Sequence, residues 1–315
     1  MGLMNLLSTV DQFKQVNTAG TVMLSGDQLK RYQCYLLSIA EDIISVCEKE
    51  NITYHLTGGT ALGAVRHGGF IPWDDDMDID ILGSDFDRFE QAFLAEFSDK
   101  YWLHTYRKKN YGMLVNRVRL KNSVFRARED SDNDECGFFV DIIRIENAFD
   151  NPALRFLHGL DCMRMGFLLS CRNYYCKRKS AIAMAGSNKR LVAALRVKIF
   201  IGMFISFRSL DKWAEKTQRC YSRCKNNRSE YVSVPAGRRH YFGELYRRED
   251  FVECEKVCFE GHMWNVPKNY DLYLGNMYGN YMETPEPDER EKHVLLEIRF
   301  PDEMNHSSDD IRQDA

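Results

Sequence analysis

The sequence lacks any apolar run long enough to cross a membrane. Its longest, Ile199 to Phe207, has nine residues and includes Gly202 and Ser206, against the roughly twenty that a spanning helix needs. A secretory pattern is also missing, because Met1 to Gly20 shows no basic stretch followed by a long apolar one. The ten cysteines form no disulfide framework. They are scattered through helix-like and strand-like segments, as reduced thiols are, so the expected location is cytoplasmic. Cys220/Cys224 and Cys254/Cys258 share a spacing that on a helix would put each pair on one face. Pairs of that kind on separate elements are a weak zinc signal, and no structural zinc is expected from them. Internal repeats are absent. So is any nucleic-acid-binding motif, and in a chain of net charge -3 that argues against a nucleic-acid partner.

What is present describes a globular chain of 315 residues, 44% hydrophobic and 28% charged, enough for about two domains. The charge is uneven. Residues 151–212 carry 12 Lys/Arg against 2 Asp/Glu, which leaves -13 on the remainder. A basic middle between acidic flanks suits an anionic partner or membrane surface, or is simply a solvated face.

The expected organisation is an N-terminal arm (1–25), a catalytic core (26–150), a basic helical section (151–230), a C-terminal section packing on the core (231–300) and a disordered tail (301–315). Leu29, Tyr32, Leu36, Ile39, Ile43 and Val46 recur at helical spacing after Gly26-Asp27. Thr53–Leu56 reads as a short strand entering Gly58-Gly59-Thr60 and a brief helix. Asp85 reads as the cap of a helix striped with Phe86, Phe89, Phe93 and Phe97. Strands are expected at Trp102–Thr105, Leu114–Leu120 and Phe138–Ile143, and a helix through Tyr278.

From Asp76 to Ile81, acidic and apolar residues alternate. On a strand this puts Asp76, Asp78 and Asp80 on one face and Met77, Ile79 and Ile81 on the other. Neighbouring carboxylates repel and Asp is a poor strand former, so the pattern suits a divalent cation that offsets the charge. Mg²⁺ takes one or two carboxylates, waters and phosphate oxygens. A solvated turn after Pro72 accounts for Asp74 and Asp75 but not for the alternation. Asp141, alone in the apolar run Phe138–Ile143, is the candidate third acid; its alternative partner is a nearby arginine. Gly58, Gly59 and Thr60 join a strand to a helix, where backbone amides favour an anion. Arg117, Arg119 and Lys121 alternate with Val118 and Leu120 and are candidate phosphate contacts, as is Arg66 just before the acidic loop.

The stretch YHLTGGTALGAVRHGGFIPWDDDMDID (Tyr54 to Asp80) resembles the signature block of the LicD/fukutin family of phosphotransferases. Arg117–Ser123 resembles that family's basic strand, Gly137–Ile143 its third-acid strand, and Phe259-Glu260-Gly261, Val266–Tyr270 and Leu274–Tyr281 its closing motif. The resemblance covers most of residues 30–150 and 240–285. After its third acid the family has an Ile-Phe-Pro-type continuation, where this chain has Ile142-Ile143-Arg144.

The resemblance implies an α+β fold, with a nucleotidyltransferase-like mixed β-sheet core flanked by helices and a helical basic insertion. It implies transfer of a phospho-alcohol, such as phosphocholine or a polyol phosphate, from a CDP-linked donor to a glycan or lipid-linked glycan. The setting would be synthesis of lipopolysaccharide, teichoic acid or another glycoconjugate. By position, Asp76, Asp78 and the third acid Asp141 would be the catalytic residues and hold one or two Mg²⁺ ions (or Mn²⁺), and Gly58, Gly59 and Thr60 would cradle donor phosphate. The basic section would rest on the inner face of the membrane or grip a phosphorylated acceptor. Two other readings share these residues: an enzyme moving NMP from an NTP to a sugar phosphate or small molecule, and a non-catalytic anion-binding module.

Overall fold

The computed structural model describes residues 22–24, 26–127, 130, 133–186, 188–286, 290 and 295–304. Most of the expected arm, and the tail from 305 on, lie outside the described residues. Val22 forms a β-bridge with Leu295, and residues 301–304 form a helical turn whose Asp302 and Glu303 pair with Arg31.

Along the chain, α1 (Asp27–Lys49) buries the apolar stripe read from the sequence. Then come β1 (Tyr54–Leu56), α2 (Gly58–His67), β2 (Asp78–Leu82), α3 (Phe86–Phe97), β3 (Tyr101–His104), β4 (Asn116–Leu120), β5 (Val124–Ala127) and β6 (Phe139–Ala148). Four helices follow: α4 (Pro152–Cys176), α5 (Arg178–Ala185), α6 (Lys189–Phe204) and α7 (Leu210–Tyr221). The C-terminal part comprises β7 (Tyr231–Ser233), α8 (His240–Gly243), β8 (Leu245–Arg247), α9 (Arg248–Phe251), β9 (Cys254–Phe259), β10 (His262–Pro267), α10 (Tyr270–Tyr278) and β11 (Leu295–Arg299).

These elements form two compact units. The helical unit is Thr105–Leu114 with Asn151–Arg223, and the other described residues form the sheet unit. The sheet unit is built on a seven-stranded sheet of order β1-β2-β6-β4-β3, with β7 on the C-terminal half of β6 and β8 beyond it. Only β2 and β6 run parallel; the other pairs are antiparallel. The apolar face of β2 (Ile79 and Ile81) is buried with α1 and with the stacked rings of Phe89 and Phe93 in one continuous core. This is an α+β, nucleotidyltransferase-like fold.

Three features depart from the sequence reading. The strand expected to end at Ile143 runs on to Ala148, and Arg144 lies within it, its guanidinium 3.7 Å from the Phe86 ring centroid. Cys254 and Cys258 sit on a strand, not a helix. The hairpin β9–β10 and the pair β5–β11 carry no strict alternation that would have separated them from loops.

The helical unit is capped by residues suited to the task. Asn151 accepts hydrogen bonds from the amides of Ala153 and Leu154 with Pro152 in the first turn, Asn188 caps α6, and Ser209 caps α7. Helices α4 and α6 approach closely at Gly202, where a Cβ would lie 2.2 Å from the Cys171 carbonyl oxygen. No helix among the described residues is long and apolar enough to cross a membrane.

Candidate active site

Register decides the site. In the parallel pair β2–β6, Asp78 lies opposite Asp141, so both side chains emerge on the same face of neighbouring strands. The Asp141 amide donates to the Met77 carbonyl at 2.9 Å, which extends the pairing one residue ahead of β2. Asp76 therefore stands in the segment leading into the strand, not within it. Asp78, with Asp76 ahead of it and Asp141 beside it, occupies one edge of the sheet.

The glycine turn meets this edge directly. A Cβ on Gly58 would lie 2.8 Å from a carboxylate oxygen of Asp78, and one on Gly59 would lie 2.8 Å from a carboxylate oxygen of Asp74. Gly58 also has a φ of +56°, so any side chain there is strained as well as obstructed. The carboxylates sit at the N-terminus of α2, where the helix dipole favours negative charge. Asp74, which the sequence reading left as solvated turn, thus belongs to the cluster. Its position, four residues before Asp78 and even-spaced with Asp76, was the signal that could have found it. Burial, followed by the charge of Asp76, holds the Asp74 carboxyl well above the ordinary carboxylate range, and the two side chains share a hydrogen bond. Crowded carboxylates of this kind must share a proton or a cation.

Two other sets of contacts hold the turn. The Tyr273 hydroxyl, from α10, accepts the Gly58 amide at 2.8 Å and lies 2.6 Å from Thr57 Oγ1. The Thr60 hydroxyl accepts the Asp78 amide at 2.9 Å. At the β9–β10 tip, Glu260 Oε1 accepts the Phe70 amide at 3.0 Å, and the Glu260 amide donates to the Gly68 carbonyl at 2.9 Å. Gln33 of α1 donates to the Asp74 carbonyl at 2.9 Å. The acidic segment is therefore clamped from α1, from the hairpin and from α10.

These contacts revise several expected roles. The Gly58 amide and the Thr60 hydroxyl serve Tyr273 and Asp78, so the turn is first a seat for the acids rather than a phosphate cradle. Arg117 Nε bonds Asp141 Oδ1 at 2.7 Å and its Nη2 bonds Oδ2 at 3.3 Å, realising the arginine partner that was the alternative to a metal role for Asp141. Arg119 is fully buried and bonds Asp130 at 2.7 Å, which leaves no surface for a phosphate. Lys121 donates to the Ser98 carbonyl at 2.7 Å and stands about 13 Å along the strand from Arg117. Arg66 donates to the Tyr281 and Glu283 carbonyls at 2.8 and 3.1 Å.

Asp80 has a different environment from Asp78, although the two share a strand face. It is 1% exposed, and burial, then the charge of Glu244, holds its carboxyl well above the usual range. Its Oδ2 lies 3.9 Å from His55 Nδ1, beyond hydrogen-bond reach. Burial pushes the His55 imidazole down to about 4, which disfavours an ion pair with Asp80. Tyr278 completes the surroundings of the cluster: burial, then the charges of Asp78, Asp76 and Asp74, raises its hydroxyl above the ordinary range.

The donor set is suited to a hard divalent ion. Asp74, Asp76, Asp78 and Asp141 offer only carboxylate oxygens, and the charge of Asp76 helps raise the Asp74 carboxyl above its ordinary range, as crowded negative charge does. No oxygens from three of these residues lie within 4.8 Å of one another, and Arg117 pairs with Asp141. Ligation by Asp141 would require it to rotate from, or share, that pairing.

The sequence that carries the acid-bearing strands and the glycine-led helix is similar to that of known proteins. The nucleotidyltransferase domain of the LicD/FKTN/FKRP family matches residues 51–151. Those residues form a LicD-family domain. The chain is 24% identical over 273 residues to the lipopolysaccharide cholinephosphotransferase LicD of Haemophilus influenzae, covering 85% of this chain and 97% of that protein. It is also 43% identical over 61 residues to the ribitol 5-phosphate transferase FKRP of mouse and of human, covering 19% of this chain and 12% of each relative. The LicD domain contains β1 to β6, hence every acid of the cluster. Tyr273 and Glu260, which brace it, lie outside the matched span.

Proposed function

We propose that this protein transfers a phospho-alcohol from a CDP-linked donor to a hydroxyl of a glycan or lipid-linked glycan, with Mg²⁺ held by Asp76 and Asp78. The observation that carries the reading is the register of Asp78 against Asp141 on parallel strands, with the carboxylates of Asp78 and Asp74 seated against Gly58 and Gly59. The named activities of the LicD and FKRP relatives supply the reaction class. Bound Mg²⁺ would supply positive charge to the diphosphate oxygens. Asp74 would complete or orient that ligand set.

In the reaction, the acceptor oxygen attacks the phosphorus that bears the alcohol. The bond from that phosphorus to the bridging oxygen breaks, CMP leaves, and the acceptor proton passes to a base. Asp141 would serve as that base on releasing an oxygen from its pairing with Arg117. The Tyr273 clamp keeps the turn in place during the displacement.

A basic, apolar surface supports a membrane-borne acceptor. Val197, Phe200, Phe204 and Phe207 recur on one side of α6 and its continuation, with Phe204 64% and Phe207 77% exposed. Exposed Arg178, Lys179, Lys189, Arg190 and Arg196 accompany them. Aromatics beside cations suit the surface of an anionic bilayer. Lys198, expected to join this group, is instead buried, its Nζ 3.3 Å from Ser170 Oγ.

The test is a panel of CDP-choline, CDP-ribitol and nucleoside triphosphates with Mg²⁺. CMP release from one CDP-alcohol in the presence of acceptor supports the reading. Pyrophosphate release from an NTP would replace it with nucleotidyl transfer, and no turnover in the complete panel would favour the anion-binding module. Flotation with anionic vesicles tests the membrane surface; absence of binding at low salt overturns it.

A further inference from the structure

A second cluster of ligand-type side chains lies in the helical unit, where the phosphotransfer chemistry has no use for it. His158 and Cys162 stand one helical turn apart on α4, and Cys220 stands on the last turn of α7. A ring nitrogen of His158 and the two sulfurs lie within 4.8 Å of one another, the only such set of His, Cys, Asp and Glu atoms among the described residues. All three residues are buried: 2%, 1% and 5% exposed.

The surroundings supply the rest of a metal site. His158 Nε2 lies 2.8 Å from the Cys220 carbonyl oxygen, which can only accept, so Nε2 carries the proton and the lone pair is on Nδ1. This is the outer hydrogen bond by which ligating histidines are usually oriented. Cys220 Sγ lies 3.3 Å from Asp161 Oδ2, an outer contact that orients the sulfur. Arg164 and Arg223 both pair with Asp161 and would offset the net negative charge of two thiolates and a carboxylate around a divalent ion. Bond lengths of about 2.3 Å to sulfur and about 2.0 Å to nitrogen separate tetrahedral ligands by roughly 3.5–3.8 Å. Small side-chain movements therefore close the cluster.

We propose that His158, Cys162 and Cys220 bind a structural zinc ion that ties α4 to α7, with Asp161 holding Cys220 from outside the ligand set. Two sulfurs and an imidazole select a borderline-soft ion over Mg²⁺, and burial of the three ligands makes the site closed and structural rather than catalytic. The site adds a cross-link between α4 and α7, the two helices that carry its ligands. The Cys220/Cys224 spacing did not point to it, because the partner of Cys220 is Cys162, 58 positions earlier.

The experiment uses the full chain, purified reduced and without chelator. Elemental analysis should give one zinc per chain, falling below a tenth in Cys162→Ala and Cys220→Ala but retained in Cys171→Ala, another buried cysteine of α4. Asp161→Asn should weaken zinc binding by roughly 10–100-fold. Cobalt exchanged into the wild-type protein should show the visible absorption of a tetrahedral thiolate site, and chelation should lower the Tm of wild type reversibly. These two wild-type measurements decide the matter even where a cysteine variant does not fold. Zinc absent from wild type with no cobalt spectrum, zinc retained in both cysteine variants, or a Cys162–Cys220 disulfide in the purified chain each overturns the proposal.

Discussion

The two units manage polar groups in opposite ways. The sheet unit buries Tyr32, Tyr54, Tyr101, Phe86, Phe89 and Phe93 almost completely, and with that core it can hold several carboxylates at one edge despite their repulsion. The helical unit leaves Phe200, Phe204 and Phe207 on its surface and encloses cysteines, His158 and Lys198. A well-packed scaffold can carry the strain of a charged site. Within the sheet unit the same contrast recurs between Asp78 and Asp80, two residues apart on one face. The first is half-buried at the sheet edge, and the second is enclosed by His55 and its neighbours.

The sharpest way to break the comparison is to neutralise these two acids in turn. Asp78→Asn should lower turnover roughly 1,000-fold or more, about 4 kcal/mol of transition-state stabilisation, with an unchanged Tm. Asp80→Asn should keep turnover within a few-fold, because burial already disfavours the charge of Asp80 and its side chain is enclosed away from the cluster. Equal losses in both variants would dissolve the distinction between edge and interior.

His55 gives the next largest effect. Its folded pKa is depressed from 6.5 to about 4, so the stability it contributes is present above pH 6.5 and is lost as pH falls toward 4. The window corresponds to about 3 kcal/mol. Denaturant melts from pH 7.5 to 4.5 should show that decline in wild type and a shallower one in His55→Gln; parallel curves would refute the assignment.

Tyr273→Phe removes the hydroxyl that accepts the Gly58 amide and should destabilise the protein by about 1–3 kcal/mol. Turnover should fall as well, since the seat for Asp78 is loosened, and a variant as stable and as active as wild type would show the clamp to be idle. Phe204→Ser should have the smallest effect on folding, within about 0.5 kcal/mol, because the ring is exposed. Its consequence should appear in flotation with anionic vesicles, where binding weakens; unchanged flotation would remove Phe204 from the membrane surface.

Much of the acid site could be read in advance because its signals are local. Alternation from Asp76 to Ile81 placed the acids opposite the apolar residues, and a lone acid in Phe138–Ile143 marked Asp141. Pairing partners carry no such local mark. Arg117, Arg119 and Lys121 look equivalent at strand spacing, yet one orients Asp141, one is sealed against Asp130 and one binds the Ser98 carbonyl. Asp74 was missed because a turn rule explained it adequately, and its contact with Gly59 depends on how the loop folds back.

The order of residues alone therefore determined the α1 stripe, the glycine turn, the acidic alternation and the basic excess of the middle section, since each rests on periodicity or composition within a short window. Only the tertiary structure decided that β6 runs beside β2 in the register that joins Asp78 to Asp141, that Tyr273 closes on Gly58 from 215 residues away, and that Cys162 meets Cys220. Those pairings follow from burying one continuous core and satisfying the backbone groups along its edges, conditions that depend on the chain as a whole.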